Sequence, residues 1–79
     1  MTHFENPIVK KVTELQKGDI FRCEFGDFDN FVTAVFESSE PYKCCKYEGI
    51  ELHIHYPNRS VYLSMVADIN STVEVIGKE

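Results

Sequence analysis

Two adjacent cysteines and two nearby histidines are the residues of this 79-residue chain that could bind a metal ion or perform covalent chemistry. Cys44 and Cys45 supply thiols, and His53 and His55 supply imidazoles, which are donors that zinc prefers. Adjacent thiols do not match the spacing of roughly two to four residues in zinc sites, and neighbouring residues of a strand point to opposite faces. We therefore predict no metal and no cofactor.

The same residues raise the question of an enzyme, because a histidine can generate a reactive thiolate. Nucleophilic catalysis also needs a pocket and donors that stabilise the developing oxyanion. The sequence has no glycine-rich turn that would present a nucleophile, and so short a domain has little room for a deep pocket. We predict that the protein is not an enzyme and has no catalytic residues.

The charge balance separates two classes of binding partner. Thirteen acidic and eight basic residues give a formal net charge of −5 at pH 7. Nonspecific binding to nucleic acid depends on Lys and Arg that neutralise phosphates, so this balance disfavours it. It favours a basic protein partner, including a protein that itself associates with nucleic acid.

An acidic segment with interleaved aromatic residues is the predicted partner-binding surface. Every charged residue between Arg22 and Lys43 is acidic, and Phe28 lies between Asp27 and Asp29. A ring held in solvent between carboxylates adds little stability, whereas buried aromatic anchors carry much of the binding energy at interfaces. We predict Phe28 as the anchor. The predicted partner-binding residues are Glu24, Asp27, Phe28, Asp29, Glu37 and Glu40.

A second group of residues predicts an alternative function, the binding of single-stranded nucleic acid. Lysines beside aromatic rings can hold phosphates while the rings stack on bases. The residues of this alternative surface are Tyr42, Lys43, Lys46, Tyr47, His53, His55 and Tyr62. The acidic balance makes this alternative weaker than protein binding.

A turn followed by a strand organises the first part of the chain. Gly18 can take a positive φ, and Asp19 can bond the neighbouring backbone, which predicts a turn. Apolar residues then recur at every second position from Phe21, which predicts a strand. The preceding residues 8–15 fit either a short strand or one helical turn, and we favour the strand; residues 1–7 are expected to be loosely ordered.

Four further strands are predicted downstream, the first of them over residues 31–37. Residues 31–37 form a strand with both faces partly covered. Residues 38–41 are expected to end it or to form a bulge, because Pro41 cannot donate to a sheet. Residues 42–47 fit a strand or a loop, and Glu48-Gly49 is expected to be a turn.

A hairpin and a final strand complete the pattern. Residues 50–56 alternate most clearly and predict a strand whose histidines face away from the core. Pairing of Ile54 with Val61 or Leu63 would keep the apolar rows of the hairpin on one side. Residues 72–76 form the last strand, and the chain is expected to fray from Gly77.

These features predict one all-β domain over residues 1–79, a small five-stranded barrel with a short 3₁₀ turn before its last strand. The predicted core residues are Ile20, Phe21, Val32, Phe36, Ile50, Leu52, Ile54, Leu63, Val73 and Val75.

The stretch Leu15-Gln16-Lys17-Gly18-Asp19-Ile20 resembles the Leu-x-x-Gly-Asp-x motif that opens the first long strand of SH3-like barrels. The loop, hairpin, short turn and final strand follow in that family's order. Peptide-binding SH3 domains carry paired tryptophans, and this chain has no Trp, so the resemblance implies the barrel without binding of proline-rich peptides. The opening is also similar to that of small phage-encoded accessory proteins, which implies a phage accessory role.

Cysteine usage and hydropathy predict the compartment. The three cysteines are an odd number, and an adjacent pair cannot form a disulfide without strain, which indicates a reducing environment. No stretch approaches the roughly 20 apolar residues that span a bilayer. We expect a cytoplasmic protein that does not bind membranes.

Overall fold

The computed structural model describes residues 2–24, 31–57 and 62–79. The strands in these ranges are β1 (Thr2–Lys11), β2 (Asp19–Glu24), β3 (Phe31–Cys44), β4 (Tyr47–His55), β5 (Tyr62–Asp68) and β6 (Thr72–Lys78). They form one antiparallel sheet of six strands in the order β1-β6-β2-β3-β4-β5. These ranges contain no α-helix, so the predicted all-β class is confirmed.

The sheet is open, with β1 at one edge and β5 at the other. A closed barrel would need its edge strands to pair with each other, and no such pairing occurs in the described ranges. The predicted five-stranded barrel is therefore not confirmed.

Among the described residues, no helix has the length and apolar character of a membrane span.

The sixth strand comes from the start of the chain. The residues from Thr2 onward, expected to be loosely ordered, belong to β1, where Thr2 and His3 pair with Lys78 and Gly77 of β6. The register then shifts across the stretch that contains Pro7, which has no N–H to donate. Backbone pairing with β6 places this segment although most of its side chains are exposed.

Residues 8–15 contain both alternatives that the sequence left open. The strand continues to Lys11, and a 3₁₀ helix follows at Val12–Glu14. The Lys11 N–H donates to the Glu14 carboxylate at 3.1 Å, which closes the short turn. The Val12 N–H donates to the Ser71 carbonyl at 3.0 Å, so this turn is tied to the connection between β5 and β6.

The predicted turn before β2 is confirmed. The Asp19 N–H donates to the Gln16 carbonyl at 2.9 Å, and Gly18 has a φ of +92°, which is the requirement at the third position of a type II turn. The Gly18 N–H donates to the carbonyl of Phe36, and its carbonyl accepts from the N–H of Glu79. The turn therefore joins β3 to the last residue of the chain. The predicted fraying from Gly77 is wrong, because β6 continues to Lys78.

The prediction that the strand ends within residues 38–41 is wrong, since β3 runs through Pro41 to Cys44. Within β3, only the segment Phe31–Val35 pairs with β2. The rest of β3, including Pro41, pairs with β4 alone in the described ranges. A residue without an N–H fits a strand that is paired on one side only. The strand has a register shift between Phe36 and Ser38, at the start of the stretch where the alternative, a bulge, was predicted.

The predicted turn at Glu48-Gly49 is also wrong, because both residues lie inside β4. The chain reverses between Cys44 and Tyr47, which pair with each other, and Cys45 takes a φ of +56°. Non-glycine residues rarely adopt this conformation, so the turn carries no glycine signal in the sequence.

The core lies on one face of the sheet and is centred on Phe21, Leu52 and Val75, each 0% exposed. Ile20 and Val35 are buried but lie outside that cluster, which confirms that both faces are covered where β2 meets β3. The predicted core residues that are buried are Ile20, Phe21, Phe36, Leu52, Ile54, Val73 and Val75, with Ile50 packed against them.

The prediction differs from the structure at the sheet edge. Leu63 pairs with Ile54 in the predicted register, but it is 44% exposed because no further strand pairs with β5 in the described ranges. Its assignment to the core is wrong. The side chain of Val32 lies outside the described part of the structure. Val12, Leu15 and Ala34 join the core without having been predicted.

Candidate functional site

One face of β3, β4 and β5 points away from the core and carries most of the predicted binding residues. Leu52 and Ile54 of β4 are buried, so the alternate residues on that strand face the opposite side, as predicted for the histidines. Residues that pair directly across strands share a side. We call this side the outer face; it consists of Val35, Ser38, Glu40, Tyr42, Cys44, Tyr47, Gly49, Glu51, His53, His55, Tyr62, Ser64, Val66 and Asp68.

Two carboxylates stand opposite each other at the centre of the outer face. Glu40 of β3 pairs directly with Glu51 of β4, and like charges in this arrangement destabilise strand pairing. The Nε2 atom of His53 lies 3.1 Å from Oε1 of Glu40, and it offsets the negative charge only when the ring is protonated. The centre of the face therefore gains from a bound positive charge.

The same three residues are the set in the described ranges that could hold a metal ion. One ligand atom each from Glu40, Glu51 and His53 lies within 4.8 Å of the others. The zinc ligands considered from the sequence are not brought together. Cys44 pairs with Tyr47, which lies six residues along β4 from His53. At the usual rise of a strand, this is a separation of about 20 Å. The absence of a metal stays a prediction.

An aromatic pair covers the hairpin end of the outer face. The rings of Tyr42 and Tyr47 meet edge to face with centroids 6.3 Å apart. A Cβ at Gly49 would lie 2.8 Å from the Tyr47 ring and 2.7 Å from the carbonyl oxygen of Ala67, so only glycine leaves room for this ring. The two rings therefore lie beside the carboxylate pair as an exposed platform.

The hydroxyl of Tyr42 is perturbed by its surroundings. Cys44, two residues along the strand and on the same face, raises the pKa of Tyr42 through its charge as a thiolate and through a hydrogen bond, with smaller contributions from burial, Glu51 and Tyr47. A negative neighbour disfavours formation of the phenolate, so the ring stays protonated at higher pH than an ordinary tyrosine.

Removing that thiol should lower the pKa of Tyr42 toward its ordinary value. We expect Cys44→Ala to shift the Tyr42 ring titration, followed by NMR, to lower pH, because the largest contribution comes from Cys44. Cys45→Ala is the matched control, since Cys45 is also a free, exposed cysteine but does not contribute to the shift. An equal shift in both variants would contradict this explanation.

The other end of the outer face holds a histidine between two carboxylates. The Nδ1 atom of His55 lies 2.7 Å from Oε1 of Glu37, close enough for an ion pair but not aligned as a hydrogen bond. Its Nε2 atom lies 3.2 Å from Oε2 of Glu79, and its ring centroid is 5.4 Å from that of Tyr62. The two contacts are ion pairs when the imidazole is protonated.

The predicted nucleic-acid surface is only partly brought together. Its tyrosines and histidines lie on the outer face, but Lys43 points to the opposite side, where its Nζ is 3.2 Å from Oε1 of Glu48. Lys46 lies in the turn between β3 and β4. No residue of the outer face as defined above is a lysine or an arginine.

The predicted acidic surface is described in part. Glu40 lies on the outer face, and Glu37 contacts His55 at its end. Glu24 belongs to β2, with its side chain outside the described part. Asp27, Phe28 and Asp29 lie outside the described residues, so the predicted anchor stays a prediction. Sequence reasoning missed Glu79, whereas strand alternation in the sequence already places Glu51 on the outward side with His53 and His55.

Comparisons of the chain with protein-family models, with curated proteins and with solved structures found no match. Function is therefore inferred from the geometry and charge of the outer face.

Proposed function

We propose that the protein is a non-enzymatic, cytoplasmic protein-binding module that occupies a basic protein partner through its outer face. The observation that carries this proposal is the direct pairing of Glu40 with Glu51 on the outer face, whose described strand residues include no lysine or arginine. Such a surface attracts and orients a positively charged partner.

The arrangement suits an arginine or lysine from the partner. A cation between Glu40 and Glu51 would neutralise two carboxylates that otherwise repel each other, and the planar guanidinium of arginine can bond both. The rings of Tyr42 and Tyr47 lie next to this pair and offer aromatic faces for a cation or an apolar side chain. Charge and aromatic area are therefore adjacent, as at protein interfaces.

Binding of single-stranded nucleic acid is the second candidate, and the tyrosines and histidines of the outer face favour it. Phosphates need neighbouring lysines or arginines, however, and Lys43 is directed to the other side and paired with Glu48. A strand of nucleic acid along the outer face would approach carboxylates at both its centre and its end. Protein binding is therefore the better-supported function.

Two further parts of the proposal come from the sequence. The acidic segment around Phe28 extends the proposed binding surface, with Phe28 as its anchor and Asp27 and Asp29 as steering charges. As a non-enzymatic module, the protein would act by occupying or inhibiting the partner, and its resemblance to small phage-encoded proteins leads us to propose a phage accessory role. Both parts stay proposals.

Charge reversal at the centre of the outer face tests the function. We expect Glu40→Lys combined with Glu51→Lys to weaken capture of a discrete basic protein from a lysate by at least about tenfold, because the attraction becomes repulsion. The control is Glu5→Lys combined with Asn6→Lys and Val9→Lys, which changes the net charge by the same amount at exposed positions of β1, off the outer face. Capture is quantified by mass spectrometry at several salt concentrations.

The competing function has its own measurement. Electrophoresis of a short single-stranded oligonucleotide with micromolar protein should show no shift for the wild-type chain. A salt-sensitive shift that Tyr42→Ala weakens would support nucleic-acid binding instead. Equal capture by the outer-face variant and its control would show that the interface lies elsewhere.

A further inference from the structure

The two edges of the sheet differ in how they are protected against pairing with another strand. A paired edge strand extends a sheet, so proteins block open edges with proline, lysine or a register irregularity. β1 has all three: Pro7, a register shift between His3 and Ile8, and the lysines Lys10 and Lys11 at its end. β1 is therefore a protected edge.

β5 has none of these features. The strand Tyr62–Asp68 contains no proline, lysine or arginine, and its pairing with β4 has no register shift. Within the described ranges no strand pairs with its open side. Leu63 and Val66 are 44% and 43% exposed, and Tyr62 is 72% exposed. An edge with this composition exposes both apolar side chains and unpaired backbone groups.

We propose that β5 is a self-association surface, and that two copies of the chain pair antiparallel through it. A two-fold axis through Met65 pairs all seven residues of the strand. It sets Leu63 of one copy opposite Ala67 of the other, which continues the apolar row that Ile54 and Leu52 begin on β4. The second copy of β5 would in this way cover the partly exposed side chains that β5 directs toward the core side of the sheet, Leu63 among them.

The charges of the strand favour a second copy of this acidic chain as the occupant. Like-charged proteins repel, so the contact must hold few charges, and β5 carries only Asp68. In the proposed register, Asp68 faces Tyr62 of the other copy, whose hydroxyl can donate to it, and Ser64 faces Val66. No like charges stand opposite each other.

The dimer also extends the outer face. Because antiparallel pairing keeps each side of a sheet continuous, Val66 and Ser64 of both copies would form the middle of one surface with a carboxylate pair on either side. This inference does not depend on the proposed protein-binding function, since it concerns the edge of the sheet and its test needs no partner.

The first test measures mass against concentration. Sedimentation equilibrium of the full chain should show a shift from 9.1 kDa toward twice that value as the concentration rises into the micromolar to millimolar range. Ser64→Lys combined with Val66→Lys should raise the dissociation constant at least about tenfold, because lysines then face each other across the axis. Both positions are exposed in the monomer, and circular dichroism checks that the variant is folded. Val66→Lys alone is a milder second variant.

The second test restores the contact with opposite charges. Ser64→Glu combined with Val66→Glu should also be monomeric, but an equimolar mixture with the double-lysine variant should dimerise, since position 64 of each copy faces position 66 of the other. Val9→Lys on the exposed surface of β1 is the control and should leave the wild-type dimer unchanged. A wild-type chain that stays monomeric at 1 mM, or a dimer lost in the β1 control and kept in the β5 variants, would overturn the proposal.

Discussion

Replacing Phe21 with alanine should lower the free energy of unfolding by about 3–5 kcal/mol, which is the usual cost of removing a buried phenylalanine. Phe21 is 0% exposed and lies in β2, which pairs with both β3 and β6, so the cavity would open in the middle of the sheet. The neighbouring strands are held by backbone pairing on both sides and cannot collapse into it. Because so short a domain has little stability to lose, the variant should be largely unfolded at 37 °C.

Urea unfolding followed by circular dichroism measures this loss. Tyr62→Ala is the control, because it removes an aromatic ring of similar size that is 72% exposed, and surface substitutions usually change stability by less than about 0.5 kcal/mol. Its unfolding should be compared at a concentration low enough to exclude association. Equal losses in the two variants would mean that Phe21 does not occupy the centre of the core.

Replacing Asp19 with alanine should be the second most damaging change, with an expected loss of about 2–3 kcal/mol for a buried, charge-assisted hydrogen-bond acceptor. Asp19 is 2% exposed, and its Oδ2 atom accepts from the N–H of Gln16 at 2.9 Å and from Nζ of Lys10 at 3.3 Å. The Nζ of Lys78 lies 3.7 Å from Oδ1. One carboxylate thus joins the turn before β2 to β1 and to β6.

The expected loss of stability in Asp19→Ala is limited because Lys10 and Lys78 are partly exposed. Lys10 and Lys78 can return to water when the carboxylate is gone, so the main cost is the unsatisfied N–H of Gln16 and the lost packing of the turn. Asp68→Ala is the control: Asp68 also accepts a backbone N–H, that of Asn70 at 2.8 Å, but it is exposed. Thermal unfolding at neutral pH should show a larger fall in Tm for Asp19→Ala than for Asp68→Ala. An equal fall in Tm would contradict the role given to Asp19.

The Leu-x-x-Gly-Asp stretch shows how a short motif can be recognised before its role is known. Gly18 and Asp19 predicted a turn because of their backbone preferences, and that turn is present. The ion pairs of Asp19 could not be predicted, because Lys10 and Lys78 come from opposite ends of the chain. Contacts of this kind depend on which strands become neighbours in the sheet.

Other differences follow from strand order and edge position in the same way. Alternation correctly assigned the buried and outward sides of β4, since its pattern of period two holds whichever strands lie beside it. Alternation could not show that β5 is an edge, so it placed Leu63 in the core. Local preferences of Pro41 predicted a break, whereas a strand paired on one side tolerates proline.

The sequence by itself determined the all-β class, the turn at Gly18, the shared side of the apolar rows that contain Ile54 and Leu63, and the outward direction of His53 and His55. These features depend on residues close together in the chain, where backbone preference and side-chain alternation act directly. Only the tertiary structure placed Glu40 opposite Glu51 and left β5 at an open edge. Those features depend on pairings between distant segments, and local patterns do not specify which strands will meet.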